Sequence, residues 1–503
     1  MSIFFYNKEW YTFIFKLLEL LFTHCNISYT CRNKKLTRKP VFRDRHYKNV
    51  FKMKKCLLII GLLIGSFSIK AQEKPNIVLL FVDDYGWSDI GYRNDSFETP
   101  NLDKLKTEGL DFERAYIPTP TCSPSRLSLL TGKEAVRLQM VRHIHLDPKN
   151  PDAKYGMWPT DPVQMPSLNY LPLEEITYAE RLKEFGYYNM FIGKWHLGHD
   201  GRYPIDQGFD QEFGVTDHGH PKSYYYPFFK GGDPRNFMDA YKKGDYLTDE
   251  LTTGAVDFIK GYDKKDPFML SFWYYSVHGP SVGRKDLLKK YKERGFKGKY
   301  ADHHAMVEAM DESVGRVRKA LEEKGIADNT VIMVLSDQGG AYSNAPLRGG
   351  KKGGDTLAEG GARVPFIIYY PGVTKPNTVC HTPVQSIDVF PTLVEIASGK
   401  KCKDKQINGM SLMPILKGND LKSRNLFGFR SYEDQYASIT NGDYKMIKYH
   451  SGKYQLYNVV KDRSEEKNLI GKGLKIESKL KKSLAKWEKK AVPSFGPEQL
   501  KEK

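Results

Sequence analysis

The sequence predicts an α/β protein: a doubly wound, mostly parallel sheet, followed by a smaller C-terminal α+β domain carrying an antiparallel sheet. Three observations predict it. Continuous apolar runs recur at 75–82, 187–192, 267–274 and 330–335, as in strands covered on both faces. Helical stretches separate these runs, and each run ends in polar or charged residues, where open α/β sheets gather ligands. Beyond residue 410 the strand-like stretches are shorter, at 426–430, 436–440 and 444–449 and then Leu456-Tyr457-Asn458, which suggests a small antiparallel sheet.

At 503 residues the chain has room for a large core and two domains. A net charge of +18 invites a nucleic-acid partner, but its distribution argues against one. Residues 1–71 carry +11 and residues 461–503 carry +6, which leaves +1 for everything between. Any anion site must therefore be local.

Residues 53–71 begin Met-Lys-Lys, continue through an apolar run and end at Ala71, the pattern of a secretory signal peptide. The run is too short for a stable membrane span. Cys56 precedes it and is wrongly placed for lipid attachment. The expectation is a secreted or periplasmic protein whose mature chain begins near Gln72. Residues 1–52 read as a spurious or non-conserved extension from an over-assigned start, with an amphipathic extension on Trp10–Phe22 as the alternative. Of six cysteines, Cys25, Cys31 and Cys56 would leave with this leader. Cys122, Cys380 and Cys402 remain, the last two a candidate disulfide in an oxidising compartment. The expected division is a catalytic domain over 72–410 and an α+β subdomain over 411–503.

In chain order, the first strand ends in Asp83-Asp84-Tyr85-Gly86-Trp87, and paired carboxylates there suit a hard cation. A helix starts at Thr99-Pro100, with Leu102, Leu105 and Leu110 on its inner face. Thr121 to Gly132 opens a short helix: Pro124 suits its first turn, Leu127, Leu129 and Leu130 give it a buried side, and Gly132 stops it. Cys122 then lies at the positive helix end, and Arg126 one turn along on the same face, a plausible anionic-ester site. Residues 173–185 read as helical. The second strand runs into Gly193-Lys194-Trp195-His196-Leu197-Gly198, where Lys194 and His196 project to one side. Residues 249–259 read as a helix, and the third strand leads to Val277-His278-Gly279-Pro280. Helix 302–323 carries a core stripe of Met306, Met310, Val314, Val317 and Leu321. The fourth strand ends in Ser336-Asp337-Gln338-Gly339-Gly340, and a strand at 366–370 and a helix at 387–397 follow. Residues 474–490 form a Lys-rich helix that reads as a solvated face.

Several of these strings occur together in one known family. Cys122-Ser-Pro-Ser-Arg126 followed by Leu130-Thr-Gly132 resembles the signature of type I, formylglycine-dependent sulfatases of the alkaline-phosphatase superfamily. Gly193–Gly198 resembles their second signature. Ser336-Asp337-Gln338-Gly339 resembles their Ser-Asp-Asn-Gly or Ser-Asp-His-Gly, departing at Gln338. Leu347-Arg348-Gly349-Gly350-Lys351-Lys352, Glu359–Pro365 and Gly409-Met410-Ser411-Leu412 match as well, so the likeness covers about residues 75–470.

The resemblance implies a secreted sulfatase with one Ca²⁺ per chain. Asp83, Asp84, Asp337 and Gln338, together with the residue at position 122, would hold the metal. Their oxygen character favours calcium over zinc. Cys122 would be converted to Cα-formylglycine by a maturation enzyme of the host, and its hydrate would attack sulfur. Arg126 and His196 would orient the hydrate, Lys194 would polarise the sulfate, and His278 with Lys351 would protonate the leaving alcohol. Lys352 is the alternative to Lys351. The substrate expected is a sulfated carbohydrate, an algal polysaccharide such as ulvan or carrageenan or its oligosaccharides. The insert from His218 to Lys230 offers aromatic faces for sugar rings, and its His220 and Lys222 can bind hydroxyls or further sulfates; packing into a local core is the competing use of those aromatics. The rivals are a two-zinc phosphoesterase of the wider superfamily and a non-catalytic sulfoglycan-binding protein.

Overall fold

A computed structural model describes residues 74–145, 165–229, 241–430 and 434–492. The leader, its three cysteines and the cleavage point after Ala71 lie outside these residues.

Eight strands form the main sheet: β1 (Asn76–Val82), β2 (Leu110–Phe112), β3 (Tyr188–Gly193), β4 (Gln211–Phe213), β5 (Phe268–Trp273), β6 (Thr330–Ser336), β7 (Phe366–Tyr369) and β8 (Thr378–Cys380). Their order is β8-β2-β7-β6-β1-β5-β3-β4. The run β6-β1-β5-β3-β4 is parallel throughout, with Ile77 opposite both Met269 and Val331. β7 is antiparallel to both of its neighbours, so the sheet is mixed at that side. An apolar run of four residues looks alike in either direction, which is why its sense was not legible.

Every residue of β1 after Asn76 is buried, and alternate residues feed opposite layers. Ile77, Leu79 and Phe81 pack in one core with helices α2 (Cys122–Thr131), α3 (Tyr178–Lys183) and α7 (Val389–Ser398). Val78, Leu80 and Val82 pack in the other with α1 (Pro100–Glu108), α4 (Leu247–Gly261), α5 (Lys285–Glu293) and α6 (Gly298–Glu323). Helices on both faces of a mostly parallel sheet make the fold doubly wound, as expected. The stripe of α6 from Met306 to Leu321 is core and nothing else.

In the main domain, three sequence expectations shift. The helix read over 173–185 is confined to Tyr178–Lys183, because Thr177 and Glu180 form a reciprocal capping box that starts it late. Leu110 belongs to β2 rather than to the preceding helix. Cys380 and Cys402 are free thiols, not a disulfide.

The C-terminal part is a four-stranded antiparallel sheet, β9 (Leu426–Phe429), β10 (Gln435–Asn441), β11 (Tyr444–Tyr449) and β12 (Tyr454–Asn458). Helix α8 (Lys475–Ala491) packs on it. Its lysines face outward, but Leu480, Leu484, Trp487 and Ala491 recur at helical spacing and are buried with Phe429, Ile439 and Met446. The helix is therefore amphipathic, not simply a solvated face. No described helix is long and apolar enough to cross a membrane.

Candidate active site

The parallel strands set the site. Asp83 and Asp84 follow β1, Asp337 and Gln338 follow β6, Lys194 follows β3, and His278 lies five residues beyond β5. Because these four strands are neighbours, their carboxyl ends bring the residues to one crevice. Backbone bonds fix the register there: Asp83 N–H donates to Ser276 O at 2.9 Å, Asp337 N–H to Val82 O at 3.1 Å, and Lys194 N–H to Trp273 O at 2.8 Å. Gly193 permits the last approach. It has φ +96°, and a Cβ there would come 2.1 Å from the Trp273 carbonyl.

Helix α2 delivers Cys122 as its first residue, and all ten of its residues are buried. It ends at Gly132 in the left-handed region, φ +68°, as a C-terminal glycine should. Arg126, one turn in, is fully buried. Its Nη2 donates to Asp337 Oδ2 at 2.9 Å and lies 3.6 Å from Asp83 Oδ2, while Nη1 donates to Lys194 O at 2.8 Å. Lys194 Nζ bonds Asp83, and Lys351 Nζ reaches Asp84 Oδ2 at 2.5 Å. Three buried carboxylates thus face three cations.

The Cys122 thiol lies at the centre of these groups. Gln338 Nε2 is 3.2 Å from its sulfur and 2.7 Å from Asp84 Oδ1, and Asp83 Oδ1 is 3.9 Å from the sulfur. Burial pushes the thiol up to about 12, outweighing the pull of Lys194. Burial and the neighbouring Asp83 raise Asp337 to about 6. For Asp84, burial acts upward, but Lys351 and then His278 hold it below the usual carboxylate range. His278 Nε2 lies 3.8 Å from Asp84, and its Nδ1 is 2.6 Å from Gly279 O. Burial lowers His278 to about 3, so it is neutral at ordinary pH. Burial also lowers His196 strongly; its Nδ1 has no hydrogen-bond partner among the described residues, and its ring packs on Gly219, where a Cβ would come within 2.6 Å.

A metal fits this donor set. Asp83, Cys122 and Asp337 offer ligand atoms within 4.8 Å of one another, and so do Asp84, Cys122 and His278. Both groupings share Cys122, so they describe one centre. Its carboxylate oxygens suit a hard cation of the calcium type. Gln338 presents nitrogen to Asp84, and a half-turn of its amide presents oxygen instead.

Above the centre a pocket of about 530 Å³ opens, lined by Cys122, His196, His278, Gln338 and Lys351 among others. Lys352 lines it too, but Lys351 is the lysine that reaches Asp84. His220 lines the pocket and stacks on His278, with centroids 5.4 Å apart and planes at 5°. Lys222 is exposed and not among the lining residues. Of the aromatic insert, Tyr224, Phe228 and Phe229 are core, where the competing use placed them. Sequence reasoning missed His143, His145 and Arg430. The two histidines follow α2 in a stretch without a motif, and burial lowers His143 to about 4. Arg430 arrives from the end of β9, tied in by Phe429 N–H donating to Pro118 O at 2.8 Å. Nothing local in the sequence marks a residue brought so far along the chain.

Comparison with known proteins agrees with this geometry. Residues 75–399 match the sequence family described as sulfatase, and residues 356–490 match that described as N-sulphoglucosamine sulphohydrolase, C-terminal. The N-acetylgalactosamine-6-sulfatase of Mus musculus is 32% identical over 413 residues, 77% of this chain and 75% of the relative. A sulfatase of Formosa agariphila is 31% identical over 516 residues, 86% of this chain and 92% of the relative. Among solved structures, Ps i-CgsB in complex with k-i-k-neocarrahexaose superposes with a TM-score of 0.71 at 26% identity, covering 84% of this chain and 94% of that one. A strand-end crevice of this composition, matched along most of the chain by sulfatases, places the protein: it belongs to the sulfatase family and is a sulfuric ester hydrolase.

Proposed function

We propose that the protein is a secreted or periplasmic sulfatase that removes sulfate esters from a sulfated carbohydrate, an algal polysaccharide such as carrageenan or ulvan or its oligosaccharides. The observation that carries the reading is Cys122, placed as the first residue of a buried helix at the floor of a pocket wide enough for a sugar. The neocarrahexaose-bound neighbour supports the carbohydrate class.

Oxidised to Cα-formylglycine by a maturation enzyme, position 122 would supply a hydrated aldehyde as nucleophile. Asp83, Asp84, Asp337 and Gln338 would hold one Ca²⁺, whose chemistry there would be to neutralise charge building up on sulfate oxygens. Arg126, tied to Asp337 and to Lys194 O, would orient the nucleophile at position 122, and Lys194 beside Asp83 would polarise the sulfate through its positive charge. His196, neutral through burial, accepts a proton from the nucleophile. His278 lies on the pocket side of Asp84 beside Lys351; the charged Lys351 would supply the proton, and neutral His278 would relay it to the departing alcohol. His220, stacked on His278, meets the sugar next to that oxygen.

Sulfate release from carrageenan, ulvan and heparan or chondroitin oligosaccharides tests the proposal. Turnover of an algal oligosaccharide is expected; activity confined to small aryl sulfates would overturn the carbohydrate assignment.

A further inference from the structure

Lys351 lies on the long loop from Gly339 to Lys352, and that loop is fastened by one side chain. Asn344 is 3% exposed. Its Oδ1 accepts from Gly340 N–H at 3.0 Å, and its Nδ2 donates to Gly340 O and Tyr342 O, both at 3.0 Å, and to Gly349 O at 3.3 Å. Lys351 N–H closes the figure by donating to Gly340 O at 3.1 Å. One amide thus ties the start of the loop, next to Gln338, to its end, next to Lys351.

The surroundings are cut to fit that amide. A Cβ added at Gly86 would come 2.7 Å from Asn344 Oδ1, at Gly350 2.7 Å from Nδ2, at Gly340 3.0 Å from Oδ1, and at Gly360 3.0 Å from the Asn344 Cβ. Gly86 lies two residues after Asp84, Gly340 two after Gln338, and Gly350 one before Lys351. Three segments that carry site residues therefore close on Asn344 with no room for a side chain.

We infer that Asn344 is the positioning residue that holds Lys351 in register with Asp84 and Gln338. It touches neither Asp84 nor the pocket, and it acts through the loop. The inference rests on the reading that Lys351 serves ester hydrolysis. Aspartate has the shape of asparagine but no N–H, so Asn344→Asp sets carboxylate oxygen against three backbone carbonyls and releases the lysine end of the loop.

The test is kcat/KM over a series of sulfate monoesters graded in leaving-group pKa, for the parent enzyme, Asn344→Asp, Lys351→Ala and the double variant. Asn344→Asp is expected to lose about 10- to 100-fold on the poorest leaving group, the scale of a small misplacement. Its loss should follow the leaving-group profile of Lys351→Ala and add little to it in the double variant. Should Asn344→Asp not fold, Gly350→Ala presses a methyl on Nδ2 from the lysine side and should give the same profile. A profile unlike that of Lys351→Ala, or losses that multiply in the double variant, would overturn the inference. A parent enzyme that releases sulfate from no ester would instead count against the sulfatase reading itself.

Discussion

Cys122 sits among buried carboxylates and cations, yet its thiol is held neutral, because burial outweighs the nearby lysines. Before any oxidation it should therefore be a poor nucleophile toward small alkylating agents. Iodoacetamide at mildly alkaline pH is expected to label half-buried Cys402 well before Cys122, read by peptide mapping; Cys122 labelling first would mean that the thiol is far more acidic than its burial implies. The carboxylates around it make a second prediction at this scale. Asp83, Asp84 and Asp337 are at most 1% exposed, and a bound divalent cation stabilises the folded state by mass action, about 2.7 kcal/mol at a hundredfold excess over Kd. Calcium should raise the melting temperature after chelator treatment, and Asp84→Asn should abolish most of the rise. No shift with calcium would remove the metal from the proposal.

At the scale of elements, helix placement depends on polar bonds that periodicity does not reveal. Asp311, inside α6, accepts from Asn101 N–H at 3.1 Å, Asn101 Nδ2 at 2.8 Å and Leu102 N–H at 2.8 Å. It thus satisfies the free N–H groups at the start of α1, whose own Thr99 makes no capping bond. Asp311→Ala should cost about 2–4 kcal/mol, since it strands buried donors, and denaturant unfolding would show it. A loss below about 0.5 kcal/mol would mean that water replaces the carboxylate. The strands and their terminal residues were legible because a buried parallel strand writes a continuous apolar run and the site residues follow directly. The start of α3 was not, since Thr177 and Glu180 override the apolar pattern before them. The buried stripe of α8 was hidden among its lysines.

At the scale of the molecule, a buried charge network joins the main domain to the C-terminal sheet. Glu359 Oε1 accepts from Lys445 Nζ on β11 at 3.0 Å, its Oε2 lies 3.3 Å from Arg363 Nη1, and Tyr116 O–H donates to it at 3.0 Å. Burial acts to raise Glu359, but Lys445 and then Arg363 hold it below the ordinary carboxylate value. A depressed carboxylate contributes stability above its unfolded pKa, and that stability fades as pH falls through the folded value. Lys445→Met should therefore cost about 3–5 kcal/mol at neutral pH, by leaving a buried charge short of a partner. The difference should shrink as pH falls below the ordinary carboxylate range toward the depressed folded value of Glu359. Destabilisation that stays equal from neutral pH down through that range would contradict the sign. The same join carries Arg430 to the pocket, so the C-terminal sheet supports the site as well as the fold. That contribution was illegible because it depends on how two parts of the chain meet, not on any local string.

The measurement closest to the central claim is the mass of the proteolytic peptide containing position 122, taken from protein shown to release sulfate from an oligosaccharide. The expected peptide has lost sulfur and two hydrogens and gained one oxygen, the change from cysteine to formylglycine, and Cys122→Ala should fold but release no sulfate. Full turnover by protein whose position 122 is entirely unmodified cysteine would contradict the account.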